Sequence, residues 1–263
     1  NTTLYNNFYD ISKILISDNY SKAVITPEID NEKKLSIKLK TDNDIKFTAN
    51  VKSFRRIIEK MNRKNITNFG EFTDIVRGRI ECKDFEQVLK IVDLLKNHLP
   101  QQNKEILKID NMILSPRDDY MGVVHLIIRD KETGLIFELQ VSSQHMLNFF
   151  DRKVKIDYAT KEIVSDRNIF IDDDQFSTDY HDLLYKSLNK LKNDHKYKFL
   201  WPKFRQIEDA YLQIQREIFE VEKQGIWEHK RKEIEENLKS LDSLVNETFS
   251  KIKKQEIIKS IEE

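Results

Sequence analysis

A single cysteine, Cys82, among 263 residues excludes an intrachain disulfide and any cysteine-built zinc site. Glycine and proline are nearly as scarce, with 5 and 4, so long low-complexity stretches are not expected. Neither sign of charge is in excess, because Lys+Arg and Asp+Glu each number 45. That balance excludes the strongly basic field of a protein that coats nucleic acid or membrane along its whole length, while leaving room for local basic patches. Long hydrophobic runs are also missing. The longest, around Met121 to Ile128, is broken by His125 and falls far short of the roughly 20 apolar residues of a membrane-spanning helix. No charged-then-apolar leader opens the chain, which starts at Asn1 rather than Met. A trimmed chain working in the cytoplasm is the expectation.

What is present suffices for a core. Apolar residues make up 39% and aromatics 10%, with 15 Phe and 9 Tyr, and the length fits one catalytic domain with a helical extension. Residues 1–32 read as a helical entry segment. Lys34–Lys40 alternates apolar and polar residues as a half-buried strand does, and Ile45–Val51 follows as a second strand. Ser53 is placed to cap a helix running to about Arg63, with Phe54, Ile57, Ile58 and Met61 on its inner face. Phe72–Cys82 reads as a strand, Phe85–Leu99 as an amphipathic helix ended by Pro100, and Ile106–Leu114, Val123–Arg129 and Leu135–Val141 as three more strands. A helix is expected from Ser142 to about Arg152. Beyond the acidic stretch Asp172–Asp174 the pattern turns helical, with apolar stripes through Ile207, Tyr211, Ile214, Ile218 and Val221 and through Ile234, Leu238, Leu241, Val245 and Ile252. The fold class is α+β, a mixed sheet with flanking helices over 33–175, followed by a helical C-terminal extension over 176–263.

Four segments carry side chains suited to phosphate chemistry. In Lys52-Ser53-Phe54-Arg55-Arg56-Ile57-Ile58-Glu59-Lys60, the cations Lys52, Arg56 and Lys60 recur every four residues at a strand-to-helix junction. A polyphosphate fits such a place, helped by the free N–H groups of a helix start; a solvated basic helix face fits it as well. In Phe72–Ile80, Asp74 leads an otherwise apolar strand, where a carboxylate needs a partner or a cation such as magnesium. Alternation sets Asp74, Val76 and Gly78 on one face and Arg77 and Arg79 on the other, unless a bulge at Gly78 re-aims them. Tyr120 and His125 bracket a turn leading into a strand, where a ring stacks on a base and an imidazole donates to a phosphate or hydroxyl. Glu138 and Gln140 share one face of the next strand, opposite Leu139 and Val141. Taken alone, each segment also reads as ordinary surface or core.

In this order, the four segments resemble the RelA/SpoT synthetase family, whose pattern runs Lys-x-x-x-Ser-x-x-x-Lys, Asp-x-x-x-x-Arg, Tyr-x-Ser-x-His and Glu-x-Gln-x-Arg-Thr. The matching positions are Lys52 with Lys60, Asp74 with Arg79, Tyr120 near His125, and Glu138 with Gln140, over about Val51 to Phe150. The resemblance implies a nucleotidyltransferase-like fold that moves pyrophosphate from ATP to the 3′-hydroxyl of an acceptor nucleotide. It further implies that Lys52, Lys60 and Arg79 hold the ATP phosphates, and the four-residue cation spacing adds Arg56 to them. Asp74 and Glu138 would bind Mg2+ and act in catalysis, and Tyr120, His125 and Gln140 would face the acceptor. Such transfer depends on charge neutralisation and in-line positioning more than on covalent chemistry.

The sequence departs from that pattern mainly on the acceptor side. Tyr120 and His125 stand five apart rather than four, and Ser142 and Ser143 replace Arg-Thr. Arg56 replaces a usual Ser, and Asn50 sits where Arg is common. Alongside alarmone synthesis, the resemblance therefore leaves open a toxin acting on the tRNA 3′ end or on adenosine nucleotides, and a nucleotide-binding regulatory module without turnover. The helical tail is open to an antitoxin or to self-association.

Overall fold

In the computed structural model, the described residues are 45–51, 75–117, 120–157, 175–180 and 182–252, the strand backbones at 24–29 and 35–40, and single positions among 7–15, 58–61 and 256–260. They fall into two compact units, Asn1–Leu147 and Asn148–Glu263. No described helix is long and apolar enough to cross a membrane.

The first unit is built on a seven-stranded sheet. Its strands are β1 (Val24–Ile29), β2 (Leu35–Lys40), β3 (Lys46–Val51), β4 (Val76–Cys82), β5 (Lys104–Asn111), β6 (Val123–Asp130) and β7 (Ile136–Ser143). The spatial order is β1-β2-β3-β4-β7-β6-β5. Every pairing is antiparallel except β4 with β7, which is parallel. The mixed α+β architecture expected from the sequence is therefore present. The helical entry expected over 1–32 gives way at Val24 to β1, where the β-branched run Val24-Ile25-Thr26 favours a pleated backbone.

The parallel β4–β7 pair needs a long crossover, and helix α1 (Phe85–His98) lies within it. Asp84 caps α1 by accepting a hydrogen bond from the Gln87 N–H at 2.8 Å, and the Gln87 side chain accepts one from the Lys83 N–H at 2.6 Å. Phe85, Val88, Ile91, Val92 and Leu95 are buried at helical spacing, each contributing about 1.5–3 kcal/mol from burial. In the sheet, Val76, Ile80, Phe137, Leu139, Val141, Val124, Leu126 and Ile128 are buried too. Lys104, only 2% exposed, reaches Asp10 at 2.7 Å and so ties the N-terminal residues to the start of β5.

At the other end of the unit, Ser142 and Ser143 extend β7, and helix α2 begins at Gln144 and runs to Phe150. The helix expected from Ser142 is thus displaced by two residues. Ser143 Oγ accepts from the Met146 N–H at 3.3 Å, which fits a cap rather than a helical position.

The second unit contains the two-stranded sheet of β8 (Lys153–Asp157) and β9 (Gln175–Asp179), a π-helical turn over Asp182–Leu188 and α3 (Asn189–Asn193). It ends in the long helices α4 (Trp201–Gln224) and α5 (Trp227–Phe249). The first stripe expected from sequence is buried on α4 at Ile207, Tyr211, Ile214, Ile218 and Val221, and the second is buried at Ile234, Leu241 and Val245 on α5 and at Ile252 beyond its end, with Leu238 half-buried. Gly225, at φ +68°, closes α4 in the left-handed conformation, its N–H bonded back to Glu222 O.

Candidate active site

Strand register decides which polar side chains meet. Arg79 on β4 sits opposite Gln140 on β7, Gln140 opposite His125 on β6, and His125 opposite Asp110 on β5. The adjoining row runs Arg77, Glu138, Ile127, Lys108. Residues directly opposite share a face, so one face of the sheet carries a polar strip four strands wide while the alternating residues supply the core. The register runs unbroken through Gly78, so no bulge re-aims the arginines. They lie on the face of Glu138 and Gln140, as alternation requires.

Within this strip, Glu138 is only 9% exposed. Gln140 Nε2 donates to Glu138 Oε1 at 2.9 Å, and Arg77 Nε lies 3.7 Å from the same oxygen. A carboxylate so removed from water needs such partners to offset its lost hydration. Its second oxygen has no partner among the described residues. Arg77 was not singled out as a site residue from sequence; its alternation with Arg79 was the available signal.

The Tyr120 hydroxyl and His125 Nε2 lie 3.4 Å apart, with the two rings edge-on at 5.6 Å. Burial pushes the His125 imidazolium below the usual histidine range. Glu138 and Asp110 act against this, and Arg77 and Arg117 act with it, so all four charges are felt at the ring. Asp110 Oδ2 accepts from Arg117 Nη2 at 2.8 Å and from Lys108 Nζ at 3.1 Å. The Lys108 bond is the largest cause holding the Asp110 carboxyl below its ordinary range, with Arg117 adding to it.

The β5–β6 connection that carries Tyr120 is fixed at several points. Asn111 Oδ1 accepts from the N–H groups of Ile113 and Leu114, both at 3.1 Å, making an Asx turn. Arg117 and Tyr120 exchange backbone bonds at 3.0 and 3.3 Å. Gly122 has φ +76°, and a Cβ there would lie 2.8 Å from Met146 Cγ, so glycine is required on two counts. Buried Ser142 donates to the Gly122 carbonyl at 2.6 Å. Ser142, which replaces an arginine of the family pattern, thus serves to hold the turn. Asp110, Arg117, Gly122 and Ser142 were not expected as contributors, because their contacts are set by register and turn geometry rather than by spacing.

Lys52, Arg56, Lys60 and Asp74 lie outside the described residues. Of the expected set, the structure brings Arg79, Tyr120, His125, Glu138 and Gln140 onto one face. Among the described residues no three His, Cys, Asp or Glu side chains gather as a metal cluster. The donor chemistry at Glu138 nevertheless fits a hard divalent cation, since one carboxylate oxygen is uncommitted and magnesium takes few protein carboxylates when phosphates supply the rest.

Residues 49–162 match the family described as the region found in RelA / SpoT proteins. The fold is similar to small alarmone synthetase 2 from Bacillus subtilis, at 20% identity over 85% of this chain and 92% of that one, with a TM-score of 0.42. It is also similar to small alarmone synthetase 1 from Bacillus subtilis bound to its product pppGpp, at 16% identity over 66% of this chain and 76% of that one, with a TM-score of 0.37. No curated protein matches the sequence. The match at 49–162 spans β4 through β7 and every described member of the polar strip.

Proposed function

We propose that the chain is a magnesium-dependent pyrophosphokinase that transfers the β,γ-diphosphate of ATP to the 3′-hydroxyl of an acceptor nucleotide. The observation that carries this reading is the Glu138 carboxylate, buried between Gln140 and Arg77 on a polar strip inside the family-matching region. In the reaction the 3′-oxygen attacks the β-phosphorus, the bond from the α–β bridging oxygen to that phosphorus breaks, and AMP leaves. In this reading Glu138 takes the hydroxyl proton. Arg79, with Lys52, Arg56 and Lys60, grips the triphosphate. Tyr120, His125 and Gln140 orient the acceptor. Asp74 and Glu138 together hold Mg2+, which neutralises the phosphate charge when bound.

The test is to incubate the chain with ATP, magnesium and separate acceptors, namely GDP, GTP, AMP, ADP and tRNA, and to identify products by mass spectrometry. AMP release matched by an acceptor heavier by one diphosphate is expected. No AMP and no new species with any acceptor overturns the proposal. A diphosphate gained by tRNA with none gained by free nucleotides selects the toxin branch of the same chemistry.

A further inference from the structure

Arg77 brings a positive charge to the carboxylate that would hold the metal. On β4 it stands directly opposite Glu138 of β7, and its Nε lies 3.7 Å from Glu138 Oε1. That separation makes an ion pair but is too long for an N–H···O hydrogen bond, and the same oxygen already accepts from Gln140 Nε2 at 2.9 Å. The Arg77 side chain is 40% exposed and that of Glu138 12%, so the guanidinium has solvent to move into and the carboxylate does not. A part-exposed pair without a direct hydrogen bond adds little to folding. Its electrostatic reach is wider. Burial is the main cause that pushes the His125 imidazolium down, and Arg77 adds to it from two strands away.

A divalent cation on Glu138 would sit roughly 2 Å from a carboxylate oxygen, close to the Arg77 guanidinium. Positive groups that near one another repel strongly where water is scarce, and Arg79 shares the same face two residues along β4. A triphosphate reverses the balance, because its negative charges attract guanidinium and metal alike.

We propose that Arg77 is a positioning residue that serves as the resident counter-ion of Glu138, keeping a divalent cation off the carboxylate until a triphosphate arrives and draws the guanidinium to itself. Metal and nucleotide then enter together, and each tightens the binding of the other. The inference rests on the metal role that the proposed function gives to Glu138, and it adds the order in which the site fills. Arg77 takes no part in bond making.

The experiment follows Mn2+, which shares magnesium's preference for carboxylate oxygens, by the EPR signal of the unbound ion, and needs no turnover. Titrations with and without a nonhydrolysable ATP analogue compare wild type, Arg77→Gln, Arg77→Lys, Glu138→Gln and the Arg77→Gln/Glu138→Gln double variant. Without nucleotide, Arg77→Gln should bind Mn2+ about tenfold more tightly than wild type, the scale of one screened unit charge near a protein surface. Arg77→Lys keeps the charge and should stay close to wild type. The double variant should lose the gain, which assigns the ion to Glu138. In the wild-type background, Glu138→Gln should weaken Mn2+ binding only when the analogue is present.

An unchanged affinity in Arg77→Gln, or a gain that survives in the double variant, overturns the inference. So does a wild-type chain in which Glu138→Gln weakens Mn2+ binding equally with and without the analogue, or in neither case. That comparison holds even where Arg77→Gln does not fold. A Glu138-dependent gain in Arg77→Gln with no AMP release from any acceptor overturns the transferase reading alone. AMP release with an unchanged Mn2+ affinity in Arg77→Gln overturns this inference alone.

Discussion

Gln140 Nε2 donates to Glu138 Oε1 at 2.9 Å, two positions along the same strand and on the same face. Side chains i and i+2 of a strand point the same way, so this bond follows directly from the Glu-x-Gln spacing. It commits one oxygen of the carboxylate to which the proposed function assigns the hydroxyl proton. Glu138→Gln keeps the shape and removes the charge. We expect kcat to fall by about 10²–10³ or more, the range seen when a general base or charge stabiliser is lost. Thermal unfolding should change little, because Arg77 and Gln140 are both part-exposed. A variant with wild-type turnover would remove Glu138 from the reaction.

His125 gives a pH dependence of known sign. Burial disfavours its charged form, so the folded chain takes up the imidazole proton at lower pH than the unfolded chain does. The stability associated with neutral His125 is therefore present above the ordinary histidine value of about 6.5 and is lost as pH falls from there through the lower folded value. Urea unfolding at several pH values below neutrality should show wild type losing more stability than His125→Gln. Parallel losses in the two proteins would mean that His125 is not the group responsible.

The sequence made some of this arrangement legible and concealed the rest for definite reasons. Period-two alternation placed Glu138 with Gln140 and Arg77 with Arg79, and the structure keeps both pairs on one face. The helical spacing of Ile207, Tyr211, Ile214 and Ile218 located the buried stripe of α4. What alternation cannot give is the partner strand. β4 and β7 are far apart in sequence, and only their parallel register sets Arg77 opposite Glu138. The Arg117–Asp110 pair similarly depends on how a connection folds back on its own strand. Ser142 was expected to open a helix. Its hydroxyl instead finds the Gly122 carbonyl, a contact made across 20 positions, and the strand continues.

In the second unit Asp242 on α5 accepts from Tyr180 Oη at 2.6 Å and from Arg152 through both Nη2 and Nε. Burial and the Asp242 carboxylate together push the Tyr180 phenol well above its usual range. Asp242→Asn removes the charge that Arg152 faces and weakens the three bonds that Tyr180 and Arg152 donate. The expected loss is about 1–3 kcal/mol. A double-mutant cycle with Arg152→Gln should show coupling of the same order. Additive losses would mean that the pair contributes nothing jointly.

Gly122 is the position where backbone and packing constrain one residue together. Its φ of +76° costs a residue with a side chain about 1–2 kcal/mol. A Cβ would also lie 2.8 Å from Met146 Cγ and 3.0 Å from Met146 Cε, and forcing it in adds about 1–3 kcal/mol of overpacking. Gly122→Ala is thus expected to destabilise by about 2–5 kcal/mol in denaturant unfolding, the sum of these two contributions. Combining it with Met146→Ala separates them, because truncating the methionine relieves the collision and leaves the backbone cost. In that background Gly122→Ala should cost only about 1–2 kcal/mol. Activity should fall in the single variant even where it remains folded, since the Gly122 carbonyl, held by Ser142 at 2.6 Å, anchors the turn between Tyr120 and His125. An equal cost in both backgrounds would show that Met146 yields freely and that the turn is set by backbone conformation alone.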